Sequence, residues 1–350
     1  MEKERYAMRK MLPKLTLLIA FAICSLPVAS PAKDEKKRQP VKENNSLSER
    51  GILWQDPVDI ESRNLFYGIG GKEHEPPNGV FTFLEEDLAG TSPKIEVRDQ
   101  DGVKWKVKLG AEARPETAAA RLVWAAGYVT NEDYFVESLK VQGLPPHLKR
   151  GQNFVEPDGS LHNVRLKRHL KGEEKIGTWR WRRDPFTGTP QLNGLRVVMA
   201  VINNWDLKDE NNAVYKMERS PDPVYLVSDL GGSFGTAGYI LSRERSRGNL
   251  NSYIHSRFIK QVTPDHVDFT VPARPTLLEL SSPAVYVRRT QLEWIGKGIP
   301  RSDAKWMGQL LSRLSPDQIR DAFRAAGYPS DEVEEFASIV QGRIDELNTL

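Results

Sequence analysis

The sequence predicts an α+β protein whose first half is rich in β-strands and whose second half is mainly helical. In residues 94–109, apolar and charged residues alternate on both sides of Asp101 and Gly102, a pattern typical of a β-hairpin. Residues 116–126 are rich in helix formers and stop before Gly127, which indicates one inserted helix. Residues 191–203 are densely apolar, which favours a buried helix.

The first 32 residues have the composition of a secretory signal peptide. Five basic residues precede an apolar run at 15–23, and small residues follow as far as Ala32. This order predicts cleavage after Ala32 and a secreted or periplasmic protein. The alternative is a retained membrane anchor, although the apolar run is short for a membrane span. The single cysteine, Cys24, lies in this segment, so the mature chain would suit an oxidising compartment.

The charge balance argues against a nucleic-acid partner. The full chain has a net charge of +3, but without residues 1–32 its acidic and basic residues are equal in number. We also expect no stable membrane span once the signal peptide has been cleaved. The six histidines show no spacing typical of zinc ligands.

Composition divides the rest of the chain into four segments. Residues 33–50 are almost entirely polar or charged, which predicts a flexible linker. Strand patterns dominate residues 51–170, and helical patterns increase through residues 171–300. We therefore predict a small N-terminal lobe, a large C-terminal lobe and a C-terminal helical extension at 301–350.

The individual elements follow the same patterns along the chain. Further strands are predicted at residues 79–83, 134–141, 161–168 and 225–229, with a short strand after Asn211. Further helices are predicted at residues 246–262 and, as three helices broken near 315–316 and 327–330, at residues 302–347.

Two motifs in the second half carry residues suited to phosphoryl transfer. Asp206 and Asn211 are five residues apart in a loop after an apolar helix, and Lys208 lies between them. Asp229 ends an apolar strand and begins an Asp-Leu-Gly sequence. Phosphoryl transfer needs a carboxylate to accept a hydroxyl proton, oxygen ligands for Mg²⁺, and a lysine that a glutamate orients.

Upstream residues supply the lysine and the glutamate in the order that such a site requires. Lys108 lies on a strand and Glu116 opens the following helix, with Lys106 on the same strand face as the alternative lysine. A simpler interpretation is also open. Lysines on one strand face are usually solvated, and an acid in a first helical turn favours the helix dipole. Asp206 and Asn211 would then belong to ordinary turns.

As a set, these motifs resemble those of the protein-kinase-like superfamily. The resemblance is closest to its atypical branches, namely HipA-type kinases, phosphoinositide 3-/4-kinase relatives, and secretory-pathway and spore-coat kinases. It covers residues 80–240. The resemblance implies a two-lobed kinase-like fold, with one key helix in a β-rich small lobe and a mainly helical large lobe. It also implies transfer of phosphate from ATP, with Mg²⁺ or Mn²⁺, to a hydroxyl acceptor.

The resemblance assigns a role to each residue of the acidic motifs. Asp206 is the expected catalytic base with Lys208 beside it, and Asn211 and Asp229 are the expected metal ligands. The sequence departs from the family pattern at Trp205, which stands where an arginine is usual, and in having Asp-Leu-Gly in place of Asp-Phe-Gly.

The resemblance also assigns the nucleotide-binding residues. Lys108 is expected to contact the phosphates, with Glu116 as its partner. No clear glycine-rich loop precedes the lysine strand, and residues 88–94 stand in its place. Within them, Thr91 and Ser92 are expected to bind the phosphates.

Two other functions stay open at this point. The departures from the family pattern are compatible with a catalytically inactive kinase-like binding module. A secreted helical scaffold without nucleotide binding is the third possibility. The acceptor, whether protein, glycan or lipid, is not indicated by the sequence.

Overall fold

The computed structural model describes residues 51–218, 220–236, 246–270 and 282–350, all within one compact unit. The predicted signal peptide and the linker at 33–50 lie outside the described residues. The strands are β1 (Val80–Asp87), β2 (Lys94–Arg98), β3 (Lys104–Lys108), β4 (Asp133–Gln142), β5 (Ser160–Arg168), β6 (Glu174–Gly177), β7 (Asn212–Lys216), β8 (Val224–Val227), β9 (Ile259–Val262), β10 (His266–Phe269) and β11 (Ile299–Pro300). The helices are α1 (Ala113–Ala125), α2 (Pro190–Val201), α3 (Leu250–Ile254), α4 (Pro283–Thr290), α5 (Arg301–Leu311), α6 (Pro316–Arg324) and α7 (Ser330–Asn348).

The first five strands close into a barrel in the order β1-β2-β3-β5-β4. Neighbouring strands are antiparallel, except that β1 pairs in parallel with β4 and so closes the barrel. Because side chains alternate along a strand, Trp105 and Val107 of β3 point into the barrel and are fully buried. The predicted hairpin is confirmed, with Gly102 at a φ of 83° in its turn.

A second hydrophobic core is formed mainly by helices. It joins residues of α1 and α2 to residues of α5, α6 and α7. The hydroxyl of Thr189 accepts a hydrogen bond from the Leu192 amide (3.2 Å) and caps α2. Ser315 and Gln318 form a reciprocal capping box that begins α6. The three predicted C-terminal helices are present, and they share this core with the preceding helices.

The structure differs from the prediction of one long helix at residues 246–262. Only α3 is helical there, and residues 259–262 form β9, which pairs with β10 through a turn at 263–265. The pairing satisfies the backbone of β9 in a way that local helix propensity does not reveal. Strands β6 to β11 make residues 171–300 less helical than predicted, whereas the α+β class is as predicted. The two-lobed arrangement stays a prediction.

None of the helices in the described ranges combines the length and the apolarity that a membrane span requires.

We predict that the barrel core is essential for stability. Trp105 is fully buried and its indole nitrogen donates to Asp99 Oδ2 (2.8 Å), so Trp105→Ala should lower the free energy of unfolding by about 3–5 kcal/mol. Val80 of β1 is 48% exposed, so the control Val80→Ala should change the free energy of unfolding by less than about 0.5 kcal/mol. Urea unfolding measures both values. Equal losses would contradict the inward orientation of Trp105.

Candidate functional site

Lys108 lies at the centre of a cluster of three carboxylates. Its Nζ is 2.7 Å from Glu116 Oε2, 3.1 Å from Glu112 Oε2 and 3.1 Å from Asp229 Oδ1. The lysine side chain is only 4% exposed and that of Glu116 only 1%, whereas that of Asp229 is 38% exposed. The cluster therefore joins a buried ion pair to a carboxylate that solvent can reach.

Three elements bring these side chains together. Lys108 is the last residue of β3, and Gly110, with a φ of 89°, turns the chain into α1. Glu112 and Glu116 are four residues apart at the start of α1, so both side chains lie on the helix face toward Lys108. Asp229 follows directly after the end of β8. The pairing of Lys108 with Glu116 that the sequence predicts is present.

The charges of the cluster stabilise one another. Burial lowers the pKa of Lys108, but its attraction to Glu116 and Asp229 is stronger and raises the pKa above its usual value. Burial raises the pKa of Asp229, but Lys108, the Gly231 amide and Arg165 together outweigh burial and lower it. We therefore expect Lys108 to be protonated and Asp229 to be ionised at neutral pH.

The alternative lysine has other partners. Lys106 Nζ is 3.0 Å from Asp87 Oδ2 and 3.5 Å from Glu96 Oε1, and its side chain is 30% exposed. These ion pairs connect strands of the barrel surface. Lys108, and not Lys106, is therefore the lysine that contacts Glu116 and Asp229.

The Asp-Leu-Gly-Gly segment packs closely against both neighbouring parts of the site. A Cβ atom at Gly231 would lie 2.8 Å from Glu112 Cβ, and one at Gly232 would lie 3.0 Å from Asp206 Cβ. Any larger residue at Gly231 would displace Glu112. The segment after β8 thus lies between the start of α1 and the loop that carries Asp206.

The loop with Asp206 and Lys208 follows α2. Asn203 adopts a left-handed conformation (φ 50°), which turns the chain out of the helix. Asp206 Oδ2 is 3.1 Å from Lys208 Nζ, and Asp206 Oδ1 is 3.7 Å from Arg289 Nη2. Each oxygen of the predicted catalytic base therefore lies near a different cation.

Asn211 links the Asp206 loop to the strand that leads to Asp229. Its Nδ2 donates to the backbone oxygen of Asp206 (2.5 Å). Its own backbone oxygen accepts hydrogen bonds from the amide (2.7 Å) and the hydroxyl (3.0 Å) of Ser228. The residue before Asp229 is thus bonded directly to Asn211, so the two predicted metal ligands lie in adjacent segments.

Thr91 and Ser92 lie in the turn between β1 and β2. The Ser92 hydroxyl donates to Glu112 Oε2 (2.8 Å), which places it at the edge of the carboxylate cluster. Thr91 is exposed. The structure therefore brings Ser92 to the Lys108 cluster and shows no equivalent contact for Thr91 among the described residues.

The donor set fits a hard divalent cation. One carboxylate oxygen each from Glu112, Glu116 and Asp229 lies within 4.8 Å of the others. Oxygen ligands of this kind suit Mg²⁺ and Mn²⁺. Glu116 is already paired on both oxygens, with Lys108 and with Arg165 Nη2 (2.8 Å). Glu112 is likewise paired on both oxygens, with Lys108 and with Arg247. Asp229, whose side chain is 38% exposed, is therefore the better candidate for a metal ligand.

Sequence reasoning missed four charged residues of this region, namely Glu112, Arg165, Arg247 and Arg289. Glu112 contacts Arg247, whose guanidinium also lies 5.4 Å from the ring centroid of Trp205. The spacing of four residues between Glu112 and Glu116 was the signal that could have found the first of them. The three arginines carry no such local signal, because they reach the site from distant parts of the chain.

Comparisons with known proteins find similarity to solved structures only. No protein-family model matches the chain, and no curated protein matches it. The chain is similar to the proinflammatory kinase CtkA of Helicobacter pylori, with 11% identity and a TM-score of 0.45, over 78% of this chain and 97% of that chain. It is also similar to a Golgi casein kinase, with 10% identity and a TM-score of 0.32, over 84% of this chain and 79% of that chain. Both of these proteins are described as kinases.

We predict that Lys108 is needed for stability as well as for the site. Lys108→Met would leave Glu112 and Asp229 without their shared cation, and should cost about 3 kcal/mol in the free energy of unfolding. This value is at the lower end of the range expected for breaking a buried ion pair, because Glu116 would still be paired with Arg165. Lys106→Met is the matched control and should cost less than about 1 kcal/mol. Urea unfolding measures both free energies. A larger loss of stability in Lys106→Met than in Lys108→Met would contradict this prediction.

Proposed function

We propose that this chain is an exported, ATP-dependent phosphotransferase of the kinase-like type, which uses Mg²⁺ or Mn²⁺ and a hydroxyl acceptor. The observation that carries the proposal is the position of Lys108. Its amine contacts both Glu116 of α1 and Asp229 after β8, and the loop of Asp206 and Asn211 is adjacent. Phosphoryl transfer depends on positioned charges of this kind.

On the nucleotide side, Lys108 would bind the phosphates. Glu116 orients the ammonium group through a 2.7 Å contact. Asp229 and the side chain of Asn211 are the residues that would hold the metal. When bound, the metal ion neutralises part of the charge on the phosphates.

On the acceptor side, Asp206 would accept the proton of the acceptor hydroxyl. Its carboxylate is 20% exposed and lies in the loop next to the Asp229 segment. Lys208 and Arg289 hold its two oxygens in place (3.1 and 3.7 Å). Oriented in this way, the carboxylate can serve as general base without a large movement of the loop.

A catalytically inactive binding module is the second candidate. The same two cations at Asp206 favour it, because Lys208 and Arg289 already occupy the two oxygens that would have to accept the proton of the acceptor. Measured phosphate transfer distinguishes the two candidates. A scaffold without nucleotide binding would fail both the binding and the transfer assay.

We predict different effects for the two aspartates. Asp206→Asn should lower the rate of phosphate transfer by about 10²–10⁴-fold and leave ATP affinity nearly unchanged, because a base contacts the acceptor and not the phosphates. Asp229→Asn should weaken Mg²⁺-dependent ATP binding as well, because it removes a metal ligand. Asp222→Asn, before β8, is the matched control and should change neither.

Thermal-shift titrations with ATP, with and without Mg²⁺ or Mn²⁺, and transfer of labelled γ-phosphate measure these effects. A wild type that binds ATP but transfers no phosphate would support the inactive module. If Asp229→Asn leaves metal-dependent binding of ATP intact, the proposed role of Asp229 as a metal ligand is wrong.

We also predict export. Residues 1–32 have the basic, apolar and small-residue order of a signal peptide, so the mature chain should begin at Lys33 and be recovered outside the cytoplasm. N-terminal sequencing of protein from cell fractions tests this. A chain that keeps Met1 and stays in the cytoplasm would contradict export without affecting the proposed activity.

A further inference from the structure

We infer that Arg165 is a positioning residue for nucleotide binding, which holds Glu116 in place when Lys108 turns toward the phosphates. The inference rests on the proposed function. Arg165 is in β5, 49 residues after Glu116 in the sequence, and its Nη2 donates to Glu116 Oε1 (2.8 Å). Its side chain is only 4% exposed.

The register of the barrel places Arg165 beside Lys108. The two residues are direct cross-strand partners in the pairing of β3 with β5, so their side chains lie on the same face of the sheet. Two cations opposite each other repel. The repulsion from Arg165 is in fact one of the influences that lower the pKa of Lys108. Glu116 lies between them and compensates both charges.

Each oxygen of Glu116 has its own cation. Oε2 contacts Lys108 (2.7 Å) and Oε1 contacts Arg165 (2.8 Å). Arg165 is held in turn by Asp133 of β4, with 3.4 Å between Nη1 and Oδ1. The Asp133 side chain is 2% exposed, and its burial raises its pKa to about 6 in spite of the attraction of Arg165.

The double pairing has a consequence for ligand binding. If Lys108 were the sole partner of Glu116, its movement toward phosphates would leave a buried carboxylate unpaired, at a high cost in free energy. With Arg165 in place, Glu116 stays paired and α1 keeps its position. Arg165 should therefore lower the cost of binding ATP, although it touches neither the nucleotide nor the acceptor.

Arg165→Met is the first test, with Arg165→Lys as the variant that keeps the charge. In Arg165→Met we expect ATP affinity and KM for ATP to worsen about tenfold, with a much smaller change in kcat. Arg165→Lys should recover most of the affinity. The control is Arg168→Met in the same strand, which removes a guanidinium 5.5 Å from the ring of Trp105 and away from Glu116. It should lower the melting temperature without changing ATP affinity.

The outcomes separate the inference from the proposed function. A structural ion pair alone would lower the melting temperature of Arg165→Met and leave KM for ATP unchanged, which would overturn the inference. A wild type with no ATP-dependent stabilisation would overturn the proposed function, and the inference with it. If Arg165→Met fails to fold, Arg165→Gln takes its place, with the same expected rise of about tenfold in KM for ATP. An unchanged KM for ATP in Arg165→Gln would also overturn the inference.

Discussion

The buried contact between Lys108 and Glu116 is the interaction on which the arrangement of the site depends. A buried lysine or glutamate is costly unless its partner is in place, so β3 and α1 are held in one relative position. The same lysine reaches Asp229, which ties the end of β8 to the barrel. Parts of the chain that are 121 residues apart are thereby brought into contact through a single ammonium group.

Helix α1 connects the two hydrophobic parts of the molecule. Glu116 faces the charged cluster at the barrel, whereas Ala118, Ala119 and Leu122 belong to the helical core with α2 and the C-terminal helices. A shift of α1 would therefore disturb both the ion pairs and the packing. Gly231 adds to this constraint, because it lets the segment after β8 approach Glu112 closely.

Cations hold the carboxylates in both parts of the site. In the cluster around Lys108, two of the three carboxylates also pair with an arginine. The carboxylate of Asp206 lies near two cations, Lys208 and Arg289. Under the proposed function, the cluster around Lys108 would hold the metal and the phosphates, and Asp206 would take the proton of the acceptor.

Local features could be predicted from the order of the amino acids alone: the hairpin of β2 and β3, the helix that carries Glu116, and the spacing of Asp206 and Asn211. Periodicity and capping are local properties, so they predicted those elements well. The contacts of Lys108, and not Lys106, with Glu116, and the positions of Glu112 and Arg165 beside them, arise only in the folded chain. Two lysines on one strand face look alike until the barrel closes and α1 covers one of them. The mistaken helix at residues 246–262 has the same cause, because the strand partner of β9 satisfies its backbone and local propensity does not report that partner.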